Sequence, residues 1–290
     1  MKAEIILLEI VPVLILGIVA GAAAVRVFNL LPWKWLCDYG EQPAERGNEV
    51  AKARRLTSVE AERITRSLVD PHFRRIKENP WRWVYGAGFS CLWIKLIMEG
   101  GLQTLNIQYA AGALVCFWGL LLIGLADLKY MIIPDQLLLV IAVAGAGLLP
   151  LHIATVRCFR KETAFPTELS GLSDGAAAAL WVLAGAAIGI LLMLLVGGLG
   201  RLIARGGRKE DSPPALGGGD LKLYGVLGFC VGVPGIVFVF LLSSLTAGLD
   251  GAIALAGGRA ERKSPRPLGP HICGAAMVYI FAIWPLLFEI

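Results

Sequence analysis

The sequence predicts an all-α protein, a polytopic transmembrane bundle of about eight helices. Of its 290 residues, 57% are hydrophobic and only 17% are charged, and the mean hydropathy is +0.69. Apolar runs recur along the chain and are separated by segments rich in Lys and Arg. This combination is typical of membrane proteins and differs from the composition of soluble globular domains.

The apolar runs define the predicted helices. A bilayer span needs about 20 apolar residues, and runs near this length occupy 5–25, 84–100, 107–126, 136–154, 175–200 and 270–288. The tract 222–257 is too long for one span, and Pro234 with Gly235 predicts a break that makes it two. Its first half is short, so the alternative there is a half-helix shielded by its neighbours.

The basic residues predict the orientation of the chain. The net charge is +5, and most of the 27 Lys and Arg residues lie between the apolar runs. Splitting the long tract puts 26–83, 201–221, 257–269 and the turn after Asp127 on one side, which is the cytoplasm by the positive-inside rule. We therefore expect a multi-pass protein of the inner or plasma membrane, with lipids rather than nucleic acid as its charged partners.

Three regions follow from this pattern. Residues 1–25 are predicted to be a retained membrane anchor, because Glu4 and Glu9 interrupt the run that a signal peptide would need. Residues 26–83 form a basic, amphipathic cytoplasmic region in which Thr57 and Glu60 predict a helix-opening capping box. A connector without activity is the alternative for this region. Residues 84–290 form the main transmembrane region.

Two aspartates stand at the ends of apolar runs. Asp127 follows the run 107–126, and Asp220 opens the tract after Gly217, Gly218 and Gly219. Two carboxylates that share one proton can hydrolyse a peptide bond, since one draws a proton from water and the other polarises the carbonyl. The glycines permit a close approach of backbone or substrate. Taken singly, Asp220 also fits a helix N-cap, and Asp127 fits an interfacial residue that ends a span.

The neighbouring polar residues have structural interpretations. Asp135 directly follows Pro134 and is expected to cap the next helix. Lys129 and Lys222 each follow an aspartate by two positions. There they can lower the pKa of that aspartate, bind lipid phosphate or anchor the helix by snorkelling. The six cysteines are scattered singly, so the sequence predicts neither a metal site nor a disulfide framework.

Three motifs resemble those of the type IV prepilin peptidases, bacterial members of the GxGD membrane proteases. Asp127 to Asp135 is similar to the D-x5-I/L-P-D element of that family, Gly217 to Lys222 to its G-x-G-D-x-K element, and Pro267 to Pro270 to its P-x-G-P element. The similarity covers about residues 107–288, where we expect a six-helix catalytic core.

The resemblance implies that Asp127 and Asp220 are the catalytic pair of an aspartyl endopeptidase. It implies substrates of one class, type IV prepilin or pseudopilin precursors, cut on the cytoplasmic side after the glycine that ends a basic leader. The residues expected to support substrate binding are Gly217, Gly218, Gly219, Lys129, Lys222, Pro134 and Asp135.

The resemblance also bears on cofactors. Proteolysis needs none, and S-adenosylmethionine is required only if the chain retains the methyltransferase activity of some family members. The four zinc-binding cysteines of bifunctional members are missing, so zinc is not expected. Residues 26–83 are accordingly interpreted as a degenerate form of the N-terminal prepilin peptidase domain.

Two other classes of protein remain as alternatives. An ion- or proton-coupled transporter also has intramembrane carboxylates and broken helices, but it predicts inverted repeats and charges near the midplane, whereas both aspartates fall at one face. An inactive assembly component of a pilus or secretion system would tolerate loss of either aspartate.

Overall fold

The structure is a computed structural model. It describes residues 15, 18–70, 72–77, 83, 86–87, 90, 107–161, 171–205, 217–257 and 266–283. The regular structure within these ranges is helical and contains no strand, which confirms the predicted all-α class. Most of the predicted run 84–100 lies outside the described residues. The same is true of residues 5–14 and 16–17 in the run 5–25 and of residues 284–288 in the run 270–288.

The helices follow one another with short connections where the chain is described. A 3-10 turn at Trp33–Trp35 lies between the first two helices, and a π-helical turn at Tyr279–Ile283 follows the last. In chain order the helices are α1 (Ile18–Leu30), α2 (Pro43–Arg54), α3 (Ser58–Val69), α4 (Ile107–Tyr130), α5 (Asp135–Ala146), α6 (Leu149–Lys161), α7 (Asp174–Arg205), α8 (Gly218–Ala256) and α9 (Gly269–Val278).

Length and composition identify the helices suited to a bilayer. Among the described residues, Asp174–Leu202 of α7 and Gly218–Ala256 of α8 are long and apolar enough to cross a membrane. Helices α5 and α6 are bent by 52° at a short break and make a third candidate if they form one span. The chain is thus a helical membrane protein, and the total of about eight helices across the bilayer stays a prediction.

The chain divides into two compact units, and the first comprises Met1–Ala110 with Lys129–Ile132. Helices α2 and α3 pack together in this unit. The predicted capping box is present: the Thr57 hydroxyl accepts the Glu60 N–H, and the Glu60 carboxylate accepts the Thr57 N–H at 3.0 Å. These hydrogen bonds lower the pKa of the exposed Glu60 carboxyl.

Arg75 joins two helix ends within the first unit. Its buried guanidinium donates to the carbonyls of Phe28 at 3.1 Å and Leu31 at 2.5 Å, at the end of α1. It also donates to the carbonyl of Ser67 at 3.1 Å, near the end of α3. A helix leaves its last carbonyls without intrahelical partners and carries partial negative charge there, so a cation is favoured at both ends.

The second unit comprises Ala111–Leu128 and Ile133–Ile290. Helix α7 packs along α8, while α5 and α9 also pack against α8. Gly185 of α7 and Gly228 of α8 meet at a crossing where a Cβ on either residue would strike the backbone of the other helix. Small residues allow helices to approach closely in a membrane, where apolar burial alone does not hold them together.

Helix α8 reverses direction near its middle. Gly232 has φ +69° and ψ −171°, which is outside helical geometry. The Tyr224 hydroxyl lies 2.6 Å from the Ser243 hydroxyl, although a straight helix would separate these residues by about 28 Å along its axis. The halves 218–231 and 233–256 therefore fold back beside each other, and the break lies two residues before the predicted Pro234.

The surroundings of Gly232 explain why the reversal occurs there. A Cβ at this position would lie 2.8 Å from Cδ1 of Trp181 and 3.2 Å from Cε1 of His152, so only glycine fits the positive φ and the space. His152 Nε2 lies 3.0 Å from the Cys230 carbonyl and must donate to it, since a carbonyl only accepts. In a regular helix residue 234 would supply that N–H, but it is Pro234.

We expect His152→Phe to destabilise the second unit, because it leaves the buried Cys230 carbonyl without the imidazole donor. The expected loss in the free energy of unfolding is about 1–3 kcal/mol. His152→Gln keeps an N–H donor and is expected to lose less. Unfolding of both variants in mixed detergent micelles, followed by tryptophan fluorescence, checks this, and equal stability of the two would contradict the donor role.

Candidate functional site

Asp127 is a buried carboxylate held by a backbone donor from another helix. It lies near the end of α4 and is 7% exposed. Its Oδ2 accepts the N–H of Gly269, the first residue of α9, at 2.7 Å. The N–H groups at a helix start have no intrahelical acceptor, and a carboxylate is a favourable partner for them. This hydrogen bond fixes the orientation of the Asp127 side chain.

Gly269 fits against Asp127 because it has no side chain. A Cβ on Gly269 would lie 2.7 Å from Oδ2, 2.9 Å from Cβ and 3.0 Å from Cγ of Asp127. On the same helix as Asp127, a Cβ on Gly124 would lie 3.7 Å from Cα of Pro270. The turn 267–270 therefore packs directly on the helix that carries Asp127. The sequence marked this turn by resemblance alone and did not reveal its contact with the aspartate.

Asp220 lies in the first turn of α8 and is partly buried. The N-cap of this helix is Gly217, so the alternative interpretation of Asp220 as the N-cap is wrong. A Cβ on Gly217 would stand 3.1 Å from Oδ2 of Asp220. The carboxylate thus lies beside the backbone of the glycine that precedes the helix, where the N-terminal partial positive charge favours it.

The glycines before Asp220 differ in their surroundings. A Cβ on Gly219 would come within 3.0 Å of the Ile133 Cβ, whereas a Cβ on Gly218 would meet nothing within 4 Å. Gly217 and Gly219 therefore occupy restricted positions, and Gly218 faces open space. In this chain, a side chain at the third glycine would meet the neighbouring segment that contains Ile133, whereas one at the second would not.

A second contact connects the start of α8 with the start of α5. The Lys222 ammonium donates to both carboxylate oxygens of Asp135, at 2.8 Å and 2.7 Å. The prediction that Asp135 caps α5 is wrong: the N-cap is Pro134, and Asp135 is in the first turn with its carboxylate on Lys222. Proline suits the position because its fixed φ begins a helix and its missing N–H is not needed there.

Both aspartates belong to the second unit. Asp127 and Asp220 are close enough for their charges to act on each other, and both charges act on the Cys273 thiol of α9. Like charges in a buried setting disfavour double ionisation. The arrangement can therefore hold one proton between two carboxylates, which is the chemical requirement for activating water at one group and a carbonyl at the other.

Lys129 has a different environment from Lys222. It belongs to the first unit, where its ammonium donates to the Arg75 carbonyl. Its Nζ also lies 5.4 Å from the centre of the Tyr130 ring, within the range of a cation–π interaction. Among the predicted supporting residues, Lys222, Asp135, Pro134 and the three glycines lie in the second unit, and Lys129 does not.

We expect Gly219→Ala to be more destabilising than Gly218→Ala, because only the first places a Cβ against Ile133. Gly218→Ala is expected to be neutral or to stabilise α8 by up to about 1 kcal/mol, since alanine favours a helix over glycine. Unfolding midpoints in detergent check this pair. Equal midpoints would show that Ile133 adjusts without cost.

Comparisons with known proteins show that part of the chain is similar to a known family. Residues 114–251 match the model of the type IV leader peptidase family. The chain is 29% identical over 163 residues to the prepilin leader peptidase/N-methyltransferase of Bacillus subtilis (strain 168), covering 56% of this chain and 52% of that protein. It is 30% identical over 174 residues to the protein of the same name from Stutzerimonas stutzeri, covering 60% and 50%.

The chain spans about half the length of these curated relatives. No solved structure matched the chain significantly. The region that matches the family model contains both Asp127 and Asp220, as well as the ion-paired Asp135 and Lys222. Over residues 114–251, the chain is therefore similar to the type IV leader peptidase family.

Proposed function

We propose that the chain is an intramembrane aspartyl endopeptidase that removes the basic leader from type IV prepilin or pseudopilin precursors. One observation carries the proposal: Asp127 and Asp220 come within electrostatic reach of each other inside the region that matches the family. The names of the curated relatives supply the substrate class. The cut after a glycine follows from the family resemblance.

The proposed chemistry uses the two carboxyl groups as base and acid. The ionised carboxylate takes a proton from water while the resulting hydroxide attacks the carbonyl carbon of the scissile peptide bond. The protonated carboxyl gives its proton to the carbonyl oxygen. Collapse of the resulting gem-diol breaks the C–N bond. The carboxyl group that received a proton from water gives it to the departing amine, and one gem-diol hydroxyl returns its proton to the other carboxylate as the new C=O forms.

The hydrogen bonds of the site favour an assignment of these roles. Oδ2 of Asp127 already accepts the Gly269 N–H at 2.7 Å, and an oxygen that accepts an N–H is a poor place for the shared proton. We therefore assign the ionised base to Asp127 and the proton-carrying acid to Asp220. Two carboxyl groups suffice for hydrolysis, so the proposal includes no metal and no cofactor.

The position of the pair suits the proposed substrate. Asp127 lies in the last turn of α4 and Asp220 in the first turn of α8, so both stand near the ends of apolar helices. A precursor could place its apolar segment in the bilayer while its basic leader remains in water. The positive-inside rule supports a cytoplasmic location for this side, because Arg201 and Arg205 lie at the end of α7 and Lys222 lies near the start of α8.

Methylation of the new amino terminus is a separate question. The names of the relatives include an N-methyltransferase, but this chain aligns with only about half of each. S-adenosylmethionine would be required for methylation alone. The geometry of the second unit supports proteolysis only.

We expect Asp127→Asn and Asp220→Asn each to lower leader removal by about 10²–10⁴-fold, because each removes one half of the acid–base pair. The measurement is the initial rate of cleavage of a purified prepilin-like precursor in detergent or liposomes. Unfolding midpoints close to wild type would show that the loss is chemical. Full activity in either variant would overturn the mechanism.

We expect Gly269→Ala to lower leader removal strongly, because its Cβ would overlap the Asp127 carboxylate. Gly274→Ala is the matched control: it lies on the same helix, and a Cβ there would meet nothing within 4 Å. Cleavage rates and unfolding midpoints of the two variants separate the effects. A Gly269→Ala enzyme as active as Gly274→Ala would contradict the proposed hold on Asp127.

A further inference from the structure

We propose that Asp250 is a positioning residue for Asp127, acting through the segment 266–271, which contains the turn 267–270. Asp250 lies near the end of α8 and touches neither candidate catalytic group. The inference rests on the proposed function, since positioning matters only if Asp127 takes part in the reaction. The exposed ion pair between Asp250 and Arg266 thereby has a role in catalysis.

Asp250 bridges the two ends of this turn. Its Oδ2 lies 2.6 Å from Nη2 of Arg266, directly before Pro267, and 3.8 Å from Nε2 of His271, directly after Pro270. Arg266 and His271 thus approach the same carboxylate oxygen from opposite ends of one short segment. The second half of α8 thereby fixes where the turn sits.

The turn contacts Asp127 directly, so its position determines the position of the Asp127 carboxylate. Gly269 lies within it and donates its N–H to Oδ2 of Asp127 at 2.7 Å. The absence of space for a Cβ on Gly269 shows that the turn is pressed against that carboxylate. The Leu268 carbonyl accepts the N–H of His271 at 3.0 Å and of Ile272 at 3.1 Å, so the segment begins α9 as one body.

The reversal of α8 brings Asp250 back toward the end of the helix that carries Asp220. Because α8 folds back at Gly232, its last turns return toward the end at which it began. Asp220 lies in its first turn, and Asp250 lies near its last. One helix therefore supplies a candidate catalytic carboxyl at its start and, at its end, the residue that holds the support of the other carboxyl.

Positioning and folding stability can be separated for such a pair. Asp250 is 47% exposed and Arg266 37% exposed on their side chains, and ion pairs at exposed sites contribute little to stability. A small misplacement of a catalytic group, in contrast, can reduce the rate by up to about 10²-fold. Loss of Asp250 should consequently appear in kcat while the unfolding midpoint and KM stay near wild type.

The test compares Asp250→Asn, the exchanged pair Asp250→Arg with Arg266→Asp, and a matched control. The control is Asp174→Asn, which breaks an ion pair of similar kind with Arg157 and Arg160 at the start of α7. For precursor cleavage we expect Asp250→Asn to lower kcat by about tenfold, the exchanged pair to recover most of it, and Asp174→Asn to behave as wild type.

A second readout is independent of cleavage. Hydrogen–deuterium exchange of the peptide that contains Gly269 should quicken in Asp250→Asn and return to the wild-type rate in the exchanged pair. Unchanged exchange in Asp250→Asn would overturn the inference whatever the activity. A wild-type kcat in Asp250→Asn, or an equal fall in Asp174→Asn, would also overturn it, whereas inactivity of the wild type would refute only the proposed function.

Discussion

The reversal of α8 at Gly232 is the constraint on which the site depends. A helix of 39 residues would extend for about 58 Å if it were straight, nearly twice the thickness of the hydrocarbon layer. By folding back, it returns to the end that carries Asp220. The bend requires a residue without a side chain beside Trp181 and His152. It also requires an N–H donor for the Cys230 carbonyl, because Pro234 has no N–H to donate. Glycine and a buried histidine meet these two requirements.

The site itself is assembled by close contacts at glycines. Gly269 touches Asp127, Gly219 touches Ile133, and Gly217 faces the Asp220 carboxylate. Glycine acts at each place by permitting approach of one segment to another. The positions nearby that are open, Gly218 and Gly274, show that the pattern is not a general tolerance of small residues in these helices. The glycines of the motifs at 217–222 and 267–270 therefore allow close packing around the two aspartates.

Exposed ion pairs add a second kind of connection around the same groups. Lys222 pairs with Asp135, and Arg266 pairs with Asp250. Such pairs contribute little to the free energy of folding because water and salt screen them. Each pair joins two segments that lie near a candidate catalytic carboxylate in the chain: Lys222 follows Asp220 by two positions, and Arg266 precedes Gly269 by three. The role proposed for these pairs is therefore to hold segments in place rather than to add stability.

The local features of this protein were determined by the sequence. The helical class follows from apolar runs, the Thr57 capping box from residues three positions apart, and the break in α8 from Pro234 and its neighbouring glycines, because all of these depend on adjacent residues. The interpretation of Asp135 as a cap failed for a related reason: its carboxylate has a distant partner, Lys222, that local rules do not include.

Only the tertiary structure decided which distant residues meet. The hydrogen bond between Asp127 and Gly269 spans 142 positions, and the contact of His152 with the Cys230 carbonyl spans 78. Nothing in the local pattern of either segment specifies its partner, since each partner is selected by how whole helices pack. The sequence thus determined which residues could carry the chemistry, and the packing of helices around a reversed α8 decided how they are held.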